Sequence, residues 1–238
     1  MIAARGAVML VAVWLALAAL GATAPDVQPS ALRVMVTSVV ALLAPLFWPG
    51  GAATPARSAL RVLAWSAAAA CLAALALRIL GNPVQPWVRI AEACAMLVPI
   101  LLLTHVAAAL LEALLRALSF DAQSAFEAAS RTVALALAAL GSLALWLGPV
   151  AELLSGRRAW AIDAVLSLSP LTHLAVASGN DLLRNQWFYQ HSNLAALQFS
   201  YPGLAELAWA YALVGLALAL LALVFRLSRR QAGDAFRT

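Results

Sequence analysis

The sequence predicts an all-α, polytopic membrane helix bundle: six transmembrane helices and one re-entrant or interfacial segment on the outer side. Three observations predict it. Of the 238 residues, 65% are hydrophobic and only 11% are Asp, Glu, Lys or Arg, against about 25% charged residues in a typical soluble domain. The apolar residues fall in runs close to the ~20 that a helix needs to cross a hydrocarbon core of about 30 Å. The basic residues are all Arg, and they stand at the ends of those runs, where membrane topology places them. An ordinary soluble enzyme, a disordered chain and a disulfide scaffold are excluded on composition alone. The loops are too short for a second folded body, so residues 1–238 read as a single transmembrane domain.

Six runs qualify as spans: 6–23, 31–48, 59–80, 88–112, 131–150 and 204–226. The first could also be a signal peptide, because Arg5 precedes it and Gly21-Ala22-Thr23-Ala24 resembles a small-residue cleavage site. A second apolar run follows so closely that a retained helix is the preferred reading. Residues 25–30 and 81–86 are tight connections whose prolines stop helices, and 49–58 is a Gly/Pro/Ala turn. Counted from Trp87 to Leu118 the fourth apolar stretch has 32 residues, a helix of about 48 Å, longer than a bilayer core is thick. Its polar end carries Glu112 and Arg116 at an i,i+4 spacing. Ser124 and Glu127 then fit an S-x-x-E capping box ahead of the fifth span. Together these describe a helical elbow, either a plain connector or a docking surface for a soluble partner.

The stretch 159–177 is apolar but holds Asp163, Ser167, Ser169, Pro170, Thr172 and His173. An ionised Asp at mid-bilayer costs about 2.5–3.5 kcal/mol on insertion scales, and Pro170 interrupts the hydrogen-bond ladder. The segment about 159–203 is therefore expected to dip in from outside and return, covered by protein. Arg counts do not separate six spans from seven: either topology puts nine of the fifteen Arg inside. Asp163, Pro170 and Arg5 favour six, with both termini cytoplasmic.

Ionisable residues inside a span are functional candidates, because keeping them there is costly. Glu92, His105, Asp163 and His173 form a candidate substrate path. For Glu92 and His105 the plainer alternative is interfacial snorkelling of Glu92 and pairing of His105 with a neighbouring helix. Beyond the dip, Trp187, Phe188, Tyr189, His191 and Tyr201 mark an aromatic outer surface, read either as an interfacial anchor or as an exit lid. His105, His173 and His191 have no metal-ligand spacing, and Cys71 and Cys94 read as small buried hydrophobes. No metal or cofactor is expected in this chain. With no Lys there is no phosphate-binding P-loop, and no catalytic constellation emerges, so the chain reads as a non-enzyme. The basic balance of +5 does not signal nucleic acid.

The stretch SLSPLTHLAVASGNDLLR (167–184), between one apolar span and another with an Arg-rich tail, resembles ABC-2-type permeases. In that family a Pro-containing segment lies in short outer re-entrant helices between the fifth and sixth spans, and Ser169-Pro170-Leu171-Thr172 occupies that place here. The resemblance covers about 75 residues. It implies a homo- or heterodimer of permeases bound to a soluble nucleotide-binding subunit that hydrolyses ATP, exporting a substrate or extracting it from membrane lipid. Docking would then fall on residues 49–61 and 116–130 and their neighbours, with Arg57, Arg61, Glu112, Arg116, Asp121 and Glu127 as contacts. Two features differ from the family: only five residues precede the first apolar run, and the connection between the second and third spans is brief. The second class of function is a structural or assembly subunit that anchors a membrane or periplasmic complex through its aromatic outer segment. The Ala/Arg-rich, Lys-free composition points to a bacterial cytoplasmic membrane.

Overall fold

The computed structural model describes residues 29–48, 55–80, 87–153, 166–181 and 201–235. The first expected span, Asp163 and the aromatic residues Trp187, Phe188, Tyr189 and His191 lie outside the described residues. Regular structure among the described residues is entirely helical: α1 (Pro29–Leu43), a 3-10 turn (Ala44–Phe47), α2 (Pro55–Leu80), α3 (Trp87–Ala117), α4 (Ala122–Leu153), α5 (Pro170–Ala177) and α6 (Leu204–Ala235). The expected runs 59–80, 88–112, 131–150 and 204–226 lie inside α2, α3, α4 and α6, and 31–48 covers most of α1 and the turn after it. Two helices among the described residues, Trp87–Ala117 and Leu204–Val224, are long and apolar enough to cross a membrane.

α3 is the axis of the bundle and packs against α1, α2, α4, α5 and α6. One continuous core joins Val36 and Val40 of α1, Ala73 and Leu77 of α2, Leu97 and Ile100 of α3, Leu174 of α5 and Leu207 of α6. α2 turns Ala69, Ala70, Ala73 and Ala76 inward while Leu75 faces out. α6 is more extreme, with Trp209, Leu213, Leu216 and Leu220 all exposed. Large apolar residues fill the core, but the long uncovered apolar face of α6 exceeds what a helix surface in water usually shows. The arrangement matches helices that approach closely through small side chains in an apolar surrounding. Gly215 and Ala219 of α6, small residues four apart, make no tight contact among the described residues. A Cβ on Gly215 would sit 4.0 Å from Leu103, and Ala219 is exposed.

Two ends of the bundle are defined by how helices stop. α3 closes in a Schellman motif: Phe120 N–H donates to the Leu115 carbonyl and Ser119 N–H to that of Arg116. Ser119 takes φ 71°, a left-handed conformation unusual for a residue with a Cβ. The chain then turns straight into α4. The expected capping box is corrected here, because the cap is Asp121 and not Ser124. Asp121 Oδ1 accepts from the backbone N–H groups of Gln123 and Ser124, each at 3.0 Å. An Asp one residue before the helix reaches the second and third orphan donors, whereas Ser124 already lies within the first turn. Glu127 instead accepts from Gln123 Nε2 and pairs with Arg131 at 3.3 Å.

At the opposite end of α3 lie the start of α6 and the end of α5. α5 closes in a second Schellman motif through Gly179 N–H to Val176 and Asn180 N–H to Ala175. Gly179 has φ 72°, and a Cβ there would come within 3.3 Å of the Arg89 guanidinium in the first turn of α3. Tyr201 Oη donates to Asp181 Oδ1 at 2.8 Å. The start of α6 is held by Glu206, which accepts from Gly203 N–H at 3.1 Å.

Candidate functional site

The short helix α5 is enclosed by α1, α3, α4 and α6. Pro170 sits in its first turn, where a missing N–H costs nothing and the fixed φ suits a helix start. A helical stretch, 166–168, ends at the extended Ser169 and Pro170 opens the next helix, so the ladder is interrupted there as expected, and α5 is too short to cross a bilayer by itself. Gly141 of α4 lets it approach: a Cβ there would lie 2.9 Å from Leu171 Cδ1. The buried residues of α5 and its two caps are mixed: Leu174, Ala175 and Ala177 are apolar, and beside them stand four polar residues. Ser169, Thr172, His173 and Ser178 are all buried, and Ser169 Oγ, Thr172 Oγ1, His173 Nε2 and Ser178 Oγ have no hydrogen-bond partner among the described residues.

His173 is 4% exposed. Its Nδ1 lies 2.8 Å from Tyr211 Oη on α6, and the two rings meet edge to face at 5.5 Å. The pair stands in the wall of a cavity of about 400 Å³, within the size range of small-molecule sites. Its lining comes from α3 (Ile100, Leu103, Thr104), α4 (Val133, Leu137, Leu140), the start of the α5 region (Ser167, Leu168) and α6 (Leu207, Val214, Leu218). Leu140, Leu168 and Val214 are exposed, so the cavity opens sideways between α4 and α6 rather than toward a helix end. No charged side chain lines it among the described residues. Thr104 spends its hydroxyl on the Leu101 carbonyl at 3.0 Å.

The expected substrate path is not gathered in one place. His173 lines the cavity. His105, adjacent to Thr104 on α3, turns instead toward Trp48, whose ring meets it edge to face at 4.9 Å. Its Nδ1 is buried without a hydrogen bond among the described residues. Glu92 pairs with Arg89 at 2.9 Å in the first turns of α3, about 20 Å of helix from His105. Pro99 lies between them inside a helix that continues to Ala117.

Four of the expected docking residues, Glu112, Arg116, Asp121 and Glu127, lie at the elbow and are engaged there. Glu112 bonds Arg116 at 2.5 Å, Glu127 bonds Arg131, and Asp121 caps α4. Arg57 and Arg61 stand on the first turns of α2. Tyr201, expected on an outer surface, is engaged by Asp181.

Sequence reasoning missed Tyr211. The signal was available: the chain has three Tyr, and this one sits inside an apolar run, where its hydroxyl must find a partner. Among the described residues no group of three or more His, Cys, Asp or Glu could hold a metal ion. Comparison with protein-family models, curated proteins and solved structures gives no match to this chain.

Proposed function

We propose that this chain is a multi-pass permease subunit of the bacterial cytoplasmic membrane, driven by ATP that a separate nucleotide-binding subunit hydrolyses. The observation that carries the reading is the buried helix α5 with the four polar residues in it and its caps, which starts inside the bundle, borders a sideways-opening apolar cavity and ends near the start of α3. A half-helix with unpaired hydroxyls is costly among apolar helices unless it serves a passing ligand. The outward Leu and Trp side chains of α6 and the length of α3 support burial in lipid. The ABC-2 likeness of 167–184 supports the energy source, and since the chain has no Lys and hence no P-loop, hydrolysis on that reading falls to a separate subunit. Six spans place the α3–α4 elbow in the cytoplasm, where its ion pairs face a soluble subunit. Work done there reaches the cavity as a rigid-body movement of α3 and α4.

The test is purification of the tagged chain from its host in mild detergent. A soluble P-loop protein is expected to copurify, and its ATPase rate is expected to fall when Glu112, Arg116 and Glu127 are charge-reversed together. A chain that recovers no nucleotide-binding partner across several mild detergents sinks the reading.

The Asp181–Tyr201 hydrogen bond favours a second reading, a structural subunit that presents the intervening segment to another protein. On that reading Trp187→Ala or Tyr189→Ala dissolves the complex while Glu92→Ala and His105→Ala leave it intact.

A further inference from the structure

The His173–Tyr211 pair has a property that does not depend on which ring nitrogen carries the proton. A neutral imidazole has one N–H and a phenol one O–H, so the pair holds two donors. The single hydrogen bond between Nδ1 and Oη uses one of them. If Tyr211 donates, the imidazole proton is on Nε2, which makes no full hydrogen bond among the described residues, the Ser167 backbone carbonyl being the nearby acceptor for the ring; if His173 donates, the Tyr211 hydroxyl proton is left over. Either tautomer leaves one buried donor at the wall of the cavity. A buried donor without an acceptor is costly, and the cavity surface around it is apolar.

From this we infer that the cavity binds an uncharged, apolar chain bearing a carbonyl oxygen, and that the His173–Tyr211 pair donates its spare hydrogen to that oxygen. Three observations specify the ligand. The absence of any charged lining residue among the described residues argues against a carboxylate or phosphate, which would enter without a counter-charge. From Leu207 to Leu218 the lining follows α6 for eleven residues, roughly 16 Å, so the occupant is elongated. The exposed rim of Leu140, Leu168 and Val214 admits it sideways, from the apolar phase in which such a molecule dissolves. An acyl ester has this chemistry, whether it is a free ester or the ester-linked chain of a bilayer lipid. The assignment rests on the membrane-permease reading and gives that reading a substrate class.

The experiment uses the full chain in nanodiscs and a methyl ester of a fatty acid with a mid-chain diazirine as the photoprobe. Cross-links are expected at the cavity rim, in the peptides holding Leu140, Leu168 and Val214. Unlabelled methyl palmitate is expected to compete about three- to tenfold better than hexadecane, the range that one net hydrogen bond gives. Each single variant, His173→Leu or Tyr211→Phe, retains one donor and keeps a preference for the ester. The double variant has none and is expected to bring the ratio to about one. Leu168→Trp, which leaves the polar pair intact, is expected to block labelling by filling the mouth, and thermal unfolding of each variant confirms that it is folded. Competition by a diacyl phospholipid as strong as by methyl palmitate assigns the site to bilayer lipid; competition by the methyl ester alone assigns it to a free ester, and both support the proposal. Equal competition by ester and alkane in the unaltered chain overturns it, as does labelling spread along the outer face of α6. Neither result depends on whether an ATPase copurifies, so failure here is distinguishable from failure of the permease reading.

Discussion

Tyr211 brings a lone hydroxyl into the apolar run 207–225 of α6, and its partner is reached only across the bundle. Removing it with Tyr211→Phe strands His173 Nδ1, and the expected loss is about 0.6–1.7 kcal/mol, the measured range for hydrogen bonds between membrane helices. Thermal unfolding in detergent checks this, and a loss of several kcal/mol would mean that the residue does more than bond. Ser119 offers the opposite sign. Its left-handed backbone carries a penalty of roughly 1–2 kcal/mol for a residue with a Cβ, so Ser119→Gly is expected to raise the unfolding temperature. Asp121 gives the elbow its pH dependence. Its carboxyl is held below the usual range, first by the Ser124 side chain and then by that residue's backbone N–H. Because the folded value is depressed, the cap is complete above the ordinary Asp range, near 4. It is lost as pH falls through the lowered value. Hydrogen exchange at Gln123 and Ser124 should therefore speed up on acidification relative to Asp121→Asn at the same pH, since the amide oxygen still accepts but does not titrate.

At the scale of elements, α5 depends on a small neighbour. Gly141→Ala pushes a Cβ against the flexible end of Leu171 and should be mild; Gly141→Leu has no such escape and is expected to cost about 1–3 kcal/mol. Its further signature is displaced α5 contacts, read as weaker cross-linking between cysteines placed on α4 and α5. Five helices were legible in advance because each apolar run is long and its limits are marked by Pro, Gly or charge, as in 59–80 and 204–226. The start of α4 was misread because S-x-x-E matches any first turn, and only the chain path shows that the turn before it ends at Asp121. Pro170 was legible as a break, but whether it starts or interrupts a helix depends on its neighbours. The candidate site was half visible. His173 stood out as an ionisable group in an apolar stretch, whereas Tyr211 lies 38 residues on, and no periodicity links positions on two different helices.

For the whole molecule, α3 separates two ends. The Gly179 turn and the first turn of α3 share one, and the Ser119 turn lies at the other, 31 helical residues away, or about 46 Å. Single cysteines at Asn180 and Phe120 are expected to react with membrane-impermeant reagents from opposite sides in sealed vesicles. Labelling of both from one side would refute the orientation on which the elbow's docking role depends. The clasp between Asp181 and Tyr201 also has a practical corollary. It fixes the two exits of a segment to one point on the bundle, so added length between them changes closure entropy only logarithmically, by about 0.6 kcal/mol per doubling. An epitope or a small fluorescent domain spliced between the two clasped ends should leave the described helices folded, which makes this the natural place to tether the protein to a surface or follow it in living cells.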